Sequence, residues 1–108
     1  MFYNGKIVMP MSQALMDICN AFNRRDVYES SSVKADFTAS QGVVHFILCG
    51  HNHADFVYDE YGIPCIGITK FITEGQPSFD LCLVDYESGC LNMIRVGSGS
   101  DRHIPIAQ

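Results

Sequence analysis

The chain has 108 residues, of which 47% are hydrophobic and 18% charged, with a net charge of −5 at pH 7. This length suits a single domain over residues 1–108 with one modest core, and the apolar content excludes disorder along most of it. The acidic balance, with Arg24-Arg25 the one adjacent basic pair, excludes a general nucleic-acid or anionic-membrane surface.

Residues 6–9, Lys6-Ile7-Val8-Met9, predict a short strand that Pro10 stops. An opening with so little lead-in raises the expectation of a truncated chain. Residues 12–24 predict a helix. Ser12 is placed to cap it, and Met11 and Met16 stand at hydrophobic-staple spacing. Leu15, Ile18, Cys19 and Phe22 form one apolar stripe, and Arg24 and Arg25 suit the negative pole at the end. Residues 25–42 are polar and irregular and predict a long loop, with Asp36 and Phe37 as its anchors.

Residues 43–49, Val43-Val44-His45-Phe46-Ile47-Leu48-Cys49, run almost without polar alternation, the pattern of a central strand covered on both faces. His45 interrupts the run and predicts a hydrogen-bonded core or edge histidine. Residues 56–59 and 63–68 flank Glu60-Tyr61-Gly62 and predict a hairpin, with Pro64 marking an irregular or edge start to the second strand. Residues 69–78 predict a loop. Residues 79–86 and 90–96 flank Glu87-Ser88-Gly89 and predict a second hairpin, in which Leu91, Met93 and Arg95 share one side. Residues 97–103 predict a flexible or ligand-approaching turn. One helix with hairpin-linked strands gives an α/β (α+β) class with a mostly antiparallel or mixed sheet.

The five cysteines, Cys19, Cys49, Cys65, Cys82 and Cys90, are odd in number and form no C-x-x-C pair. Cys49, Cys65 and Cys82 lie within apolar runs. This predicts reduced thiols and a cytoplasmic setting. No basic stretch leading into a long apolar run marks a signal peptide, and no run approaches the ~18 residues of a membrane span.

The chemistry concentrates in Gly50-His51-Asn52-His53-Ala54-Asp55, at the end of the apolar run. Residues two apart in an extended segment point to one side, so His51 and His53 can face one point. Gly50 clears space beside them. Neutral imidazole is a common ligand for transition metals, although two histidines alone leave a metal short of partners. From the residues alone, a ligand pair and two solvated strand-end histidines both remain open. Cys49 next to the pair offers a thiol, which its apolar setting predicts to be buried. Asp101, Arg102 and His103 could touch an anion or form a solvated tail.

The stretch Phe46-Ile47-Leu48-Cys49-Gly50-His51-Asn52-His53-Ala54-Asp55 resembles the last signature of the calcineurin-like metallophosphoesterases, an apolar strand followed by G-H-x-H. The preceding amphipathic helix, the following Gly62-Ile63-Pro64-Cys65-Ile66-Gly67-Ile68 and the Gly97-x-Gly99-x-Asp101-Arg102 tail resemble the C-terminal region of that family. The resemblance implies part of a four-layer metallophosphoesterase sandwich, with His51 and His53 as ligands to different ions of a dinuclear Mn, Fe or Zn centre. It implies hydrolysis of a phosphoester substrate with no side-chain nucleophile, so no catalytic residue is assigned, and the substrate-binding residues are unknown. The family's earlier Asp-x-His, Gly-Asp and Gly-Asn-His-Asp/Glu motifs are absent from this sequence. The expectation is therefore a C-terminal fragment with little activity alone, which would pair with a missing N-terminal half. The alternative is a non-catalytic domain that self-associates as a homodimer or binds another partner.

Overall fold

The computed structural model describes residues 2–3, 6–7, 11–50, 54–68, 72–73 and 76–108. The elements in chain order are β1 (Phe2–Tyr3), β2 (Lys6–Ile7), α1 (Met11–Arg24), β3 (Val27–Glu29) and β4 (Lys34–Asp36). There follow β5 (Ile47–Cys49), β6 (Phe56–Tyr58), β7 (Cys65–Gly67), β8 (Ile72–Thr73) and β9 (Gln76–Pro77). The chain ends in β10 (Phe79–Asp85), β11 (Cys90–Val96) and β12 (Arg102–Pro105). The class is mixed α+β, as expected.

Helix α1 begins at Met11, so Ser12 falls inside the first turn and not before it. The Ser12 cap and the Met11–Met16 staple both involve side chains outside those described. The buried face overlaps the predicted stripe at Cys19 but is centred elsewhere. Met16 is fully buried and Ala21 nearly so, while Leu15 is 37% exposed. Asn20 and Asn23 explain the rotation. Asn20 Nδ2 donates to the Met16 and Tyr61 carbonyls, each at 3.0 Å. Asn23 Nδ2 donates to the Val44 carbonyl at 3.0 Å. The face toward the sheet thus carries amides whose polar groups are satisfied, which a count of apolar residues misses. At the C-terminus, Arg25 takes a left-handed φ of 60° and returns its Nη1 to the Phe22 carbonyl at 2.9 Å, a cation meeting the helix's last carbonyls.

The predicted loop at residues 25–42 contains a hairpin. β3 and β4 pair antiparallel, with Val27 opposite Asp36 and Glu29 opposite Lys34. Ser30 Oγ accepts from the Val33 amide at 3.1 Å and closes the turn. Phe37 is an anchor, as expected. Its ring meets Phe22 edge-on at 5.3 Å, and its amide donates to the Asp26 carbonyl at 3.0 Å. Asp36 accepts from the Thr38 hydroxyl at 2.6 Å and from the Thr38 amide at 3.0 Å, which hold its carboxyl below the ordinary range.

Two three-stranded sheets carry the core. The first has the order β5-β7-β6, with β5 parallel to β7 and β6 antiparallel to it. The second has the order β10-β11-β12, antiparallel throughout. The predicted central strand at residues 43–49 is corrected on two counts. It pairs only over Ile47–Cys49 and lies at a sheet edge, with Leu48 44% exposed. The central strand is β7, buried throughout. The predicted tail turn is corrected in part, since the chain bends over residues 97–99 but from Arg102 forms β12, which extends the second sheet with Leu91 opposite Ile104.

Two buried clusters define three layers. Met16, Ile63 and Cys65 pack with Cys19, Ile47, Cys49 and Phe56 between the helix and the first sheet. Ile66, Leu91, Met93, Ile104 and Ile106 pack with Phe46, Ile68 and Val84 between the two sheets. Neighbouring residues of β7 therefore serve opposite cores, Cys65 toward the helix and Ile66 toward the second sheet, as the strand period requires. No helix among the described residues is long and apolar enough to cross a membrane.

Candidate functional site

β5 and β7 run in parallel, so their C-terminal ends lie together. Leu48 pairs with Ile66 and Cys49 with Gly67, and the Ile68 amide donates to the Cys49 carbonyl at 3.0 Å. The chain leaves this edge through Gly50, where an added Cβ would meet nothing within 4 Å. His51 and His53, the two predicted metal ligands, come next and lie outside the described residues. The chain re-enters the described structure at Ala54.

Asp55, one residue further, meets a buried guanidinium. Arg95 Nη2 donates to both Asp55 oxygens, at 2.7 and 2.8 Å. Arg95 Nε donates to Asp80 Oδ1 at 2.9 Å, and Nη2 to Asp80 Oδ2 at 3.2 Å. Arg95 Nη1 donates to the Ser98 carbonyl at 2.7 Å. The side chains of Arg95 and Asp80 are each only 2% exposed. Two carboxylates on one fork raise the Arg95 guanidinium above its ordinary range, Asp80 contributing most, so it stays charged.

Arg102 completes the group. Its Nη1 donates to the Gly67 carbonyl at 3.0 Å, at the end of β7. Its Nη2 lies 3.5 Å from Asp80 Oδ2 and 3.4 Å from Asp55 Oδ1. Arg102 Nε is buried with no hydrogen bond among the described residues. Two arginines and two aspartates balance in charge, which makes their burial tolerable.

The turn after β11 wraps this network. The Arg95 amide donates to Asp101 Oδ1 at 2.8 Å, and the Ser98 amide to Ser78 Oγ at 3.1 Å. Gly99 has φ +117°, and a Cβ there would overlap the Arg95 guanidinium. Asp101 and Arg102 thus face partners within the chain. His103 does likewise, with Nδ1 2.5 Å from Asn92 Oδ1.

His45, expected as a bonded edge histidine, places Nδ1 2.5 Å from the Ala107 carbonyl and meets Tyr86 edge-on. Cys49 Sγ lies 3.0 Å from Cys65 Sγ, on the helix side of the first sheet. Burial, then the Cys49 contact, pushes the Cys65 thiol up to about 12, so it is protonated and a poor nucleophile. All five cysteines are free, and Cys82, which lies within an apolar run of the sequence, is exposed.

The arginine cluster was missed from the sequence. The available signal was an arginine sharing the buried side of β11 with Leu91 and Met93, opposite Asp80. Asp55, a carboxylate next to the histidine pair, has both oxygens engaged by Arg95. For the divalent cation that the resemblance implies, the donor chemistry therefore fits at two positions, the imidazoles of His51 and His53. No three His, Cys, Asp or Glu side chains converge as a ligand set among the described residues. Comparison with protein-family models, curated proteins and solved structures finds no match to this chain.

Proposed function

We propose that the chain is the C-terminal part of a metal-dependent phosphoesterase, in which His51 and His53 are ligands of a dinuclear Mn, Fe or Zn site. The observation that carries the reading is the exit of the H-x-H segment from the C-terminal end of β5, beside parallel β7. Ligands of open sheets with parallel strands collect at that end. The helix–sheet–sheet layering gives further support, since three such layers are what this part of a four-layer sandwich would contribute. The outer face of the second sheet, where a fourth layer would lie, is apolar and exposed.

The cations would activate water and neutralise the phosphoryl oxygens. This chain's own residues would hold ligand positions and supply no nucleophile, so the chain by itself hydrolyses little. Purified chain is expected to retain a divalent metal that the His51→Ala/His53→Ala variant loses. Metal-free protein with no bis(p-nitrophenyl) phosphate turnover in excess manganese would overturn the reading as a property of this chain.

A second reading is a non-catalytic domain that self-associates. The outer face of β10–β11 favours it, with Leu81 53%, Leu83 57% and Val96 42% exposed. Metal content separates the two, because self-association without a bound metal fits only the second.

A further inference from the structure

We infer that Cys49 and Cys65 are a modification site: a small peroxide oxidises the two thiols to a disulfide, and a thiol reductant restores them. The two sulfurs lie 3.0 Å apart. That is closer than the ~3.5–4.0 Å at which even the smaller carbon atoms rest against one another. About 1 Å of travel separates them from a disulfide bond.

The sheet sets up the contact. Cys49 stands opposite Gly67 and Cys65 opposite Ile47, so the cysteines are diagonal neighbours on parallel strands. Both pack on the helix side of the first sheet. The Phe56 ring fills the place of the side chain that Gly67 lacks. The space directly across from Cys49 is therefore occupied, and its sulfur reaches along the diagonal instead. Edge strand β5 pairs over three residues only and can supply the remaining movement, while Cys65 stays in central β7.

Exposure divides the roles. Cys65 is fully buried. Cys49 is half-buried and borders Gly50, beside which there is open space. Peroxide therefore meets Cys49 first. The Cys49 thiol becomes a sulfenic acid as the O–O bond breaks, and one water leaves. The Cys65 sulfur then displaces the hydroxyl from the Cys49 sulfur, its proton goes with that hydroxyl, and a second water leaves. Two electrons pass from the sulfur pair to the peroxide. Burial makes Cys65 a weak nucleophile, and contact with its target offsets this, since a positioned reactant acts at a far higher effective concentration. A dithiol reductant supplies the two electrons and two protons for the return.

Trypsin cuts after Lys34 and Lys70, so residues 35–70 form one peptide that contains Cys49 and Cys65 and no other cysteine or methionine. The test treats the full chain with hydrogen peroxide, removes the peroxide with catalase, alkylates the remaining thiols in urea and weighs this peptide. The expected product lacks two hydrogens and carries no alkyl group. Dithiothreitol before alkylation should return the doubly alkylated peptide. Oxidation in urea should lower the yield of this product, relative to links between different peptides, at least about 10-fold. Cys65→Ser should leave Cys49 oxidised without a cross-link inside the peptide. Should that variant not fold, Cys49→Ser, at the half-buried position, should leave Cys65 reduced and open to alkylation after the same treatment.

A peptide 35–70 that keeps two alkyl groups after exposed Cys82 has been consumed would overturn the inference. So would Cys49 carried to the sulfinic acid beside a reduced Cys65, since further oxidation would then outrun the closing step. Equal relative yields of the internal disulfide in the folded chain and in urea would mean that the fold contributes nothing to the pairing, and would overturn it as well.

Discussion

Asn23 and Val44 exchange two hydrogen bonds. The side-chain amide of Asn23 donates to the Val44 carbonyl at 3.0 Å, and its oxygen accepts from the Val44 amide at 2.8 Å. A helix side chain thus imitates the edge of a neighbouring strand. It satisfies the backbone of the segment leading into β5, which has no ladder partner at that position.

Asn23→Ala is expected to lower stability by roughly 2 kcal/mol, since two part-buried backbone groups lose their partner together. Asn23→Asp keeps the acceptor for the Val44 amide but sets an oxygen against its carbonyl, so it should not recover the loss. Urea unfolding followed by far-ultraviolet circular dichroism measures both. A midpoint unchanged in Asn23→Ala would mean that solvent replaces both bonds.

Gly67 and Phe56 make a second pair that depends on shape. They face each other across the β6–β7 ladder, and a Cβ on Gly67 would fall inside the Phe56 ring. Gly67→Ala should cost about 1–3 kcal/mol through overpacking. Phe56→Leu in the same chain should recover part of that cost, because the ring is the obstacle. A double-mutant cycle with no coupling between the two would contradict the packing.

Cys65 predicts an alkaline limit to stability. Its thiol stands at about 12 in the folded chain against an ordinary 9.0, chiefly through burial. Below pH 9 it is protonated in both states, and its full contribution is present. Between about pH 9 and 12 the unfolded chain ionises and the folded chain does not, so stability falls as pH rises. The expected slope from this group is up to about 1 kcal/mol per pH unit. Cys65→Ala, although less stable at neutral pH, should show a shallower alkaline decline. Equal slopes in the two proteins would remove the assignment to Cys65.

The hairpins at Phe56–Tyr58/Cys65–Gly67 and Phe79–Asp85/Cys90–Val96 were legible because each places a glycine with positive φ between extended runs, Gly62 at 83° and Gly89 at 67°. β3 and β4 were not legible. They are three residues each, mostly exposed, and joined through a serine side chain, so neither hydrophobic period nor strand propensity marks them. The apolar run at residues 43–49 overstated both burial and pairing, since Leu48 is exposed, its other residues are half-buried and only Ile47–Cys49 pair. Helix, second sheet and the chain end at Ala107 each cover parts of it, and the Ala107 amide donates to the His45 carbonyl at 2.9 Å. Coverage by three different elements produces the same composition as a central strand. The H-x-H pair was visible as a motif, whereas the Arg95 fork that meets Asp55 joins residues 40 apart in sequence, beyond any local pattern.

The two faces of the second sheet predict opposite responses to substitution. Leu91 is fully buried against the first sheet, so Leu91→Ala should cost about 2–5 kcal/mol. Leu81, opposite Ile94 on the outer face, is 53% exposed, and Leu83 is 57% exposed. Leu81→Lys and Leu83→Lys should therefore change stability by no more than about 0.5 kcal/mol. Their effect should appear in association. A run of apolar side chains on one sheet face is a surface that soluble chains ordinarily cover. If the remaining part of a sandwich covers it, the isolated chain should aggregate or dimerise through this face, and the lysine variants should sediment as monomers. Wild-type chain that is monomeric at 100-fold dilution and at its solubility limit alike would mean that this face needs no cover.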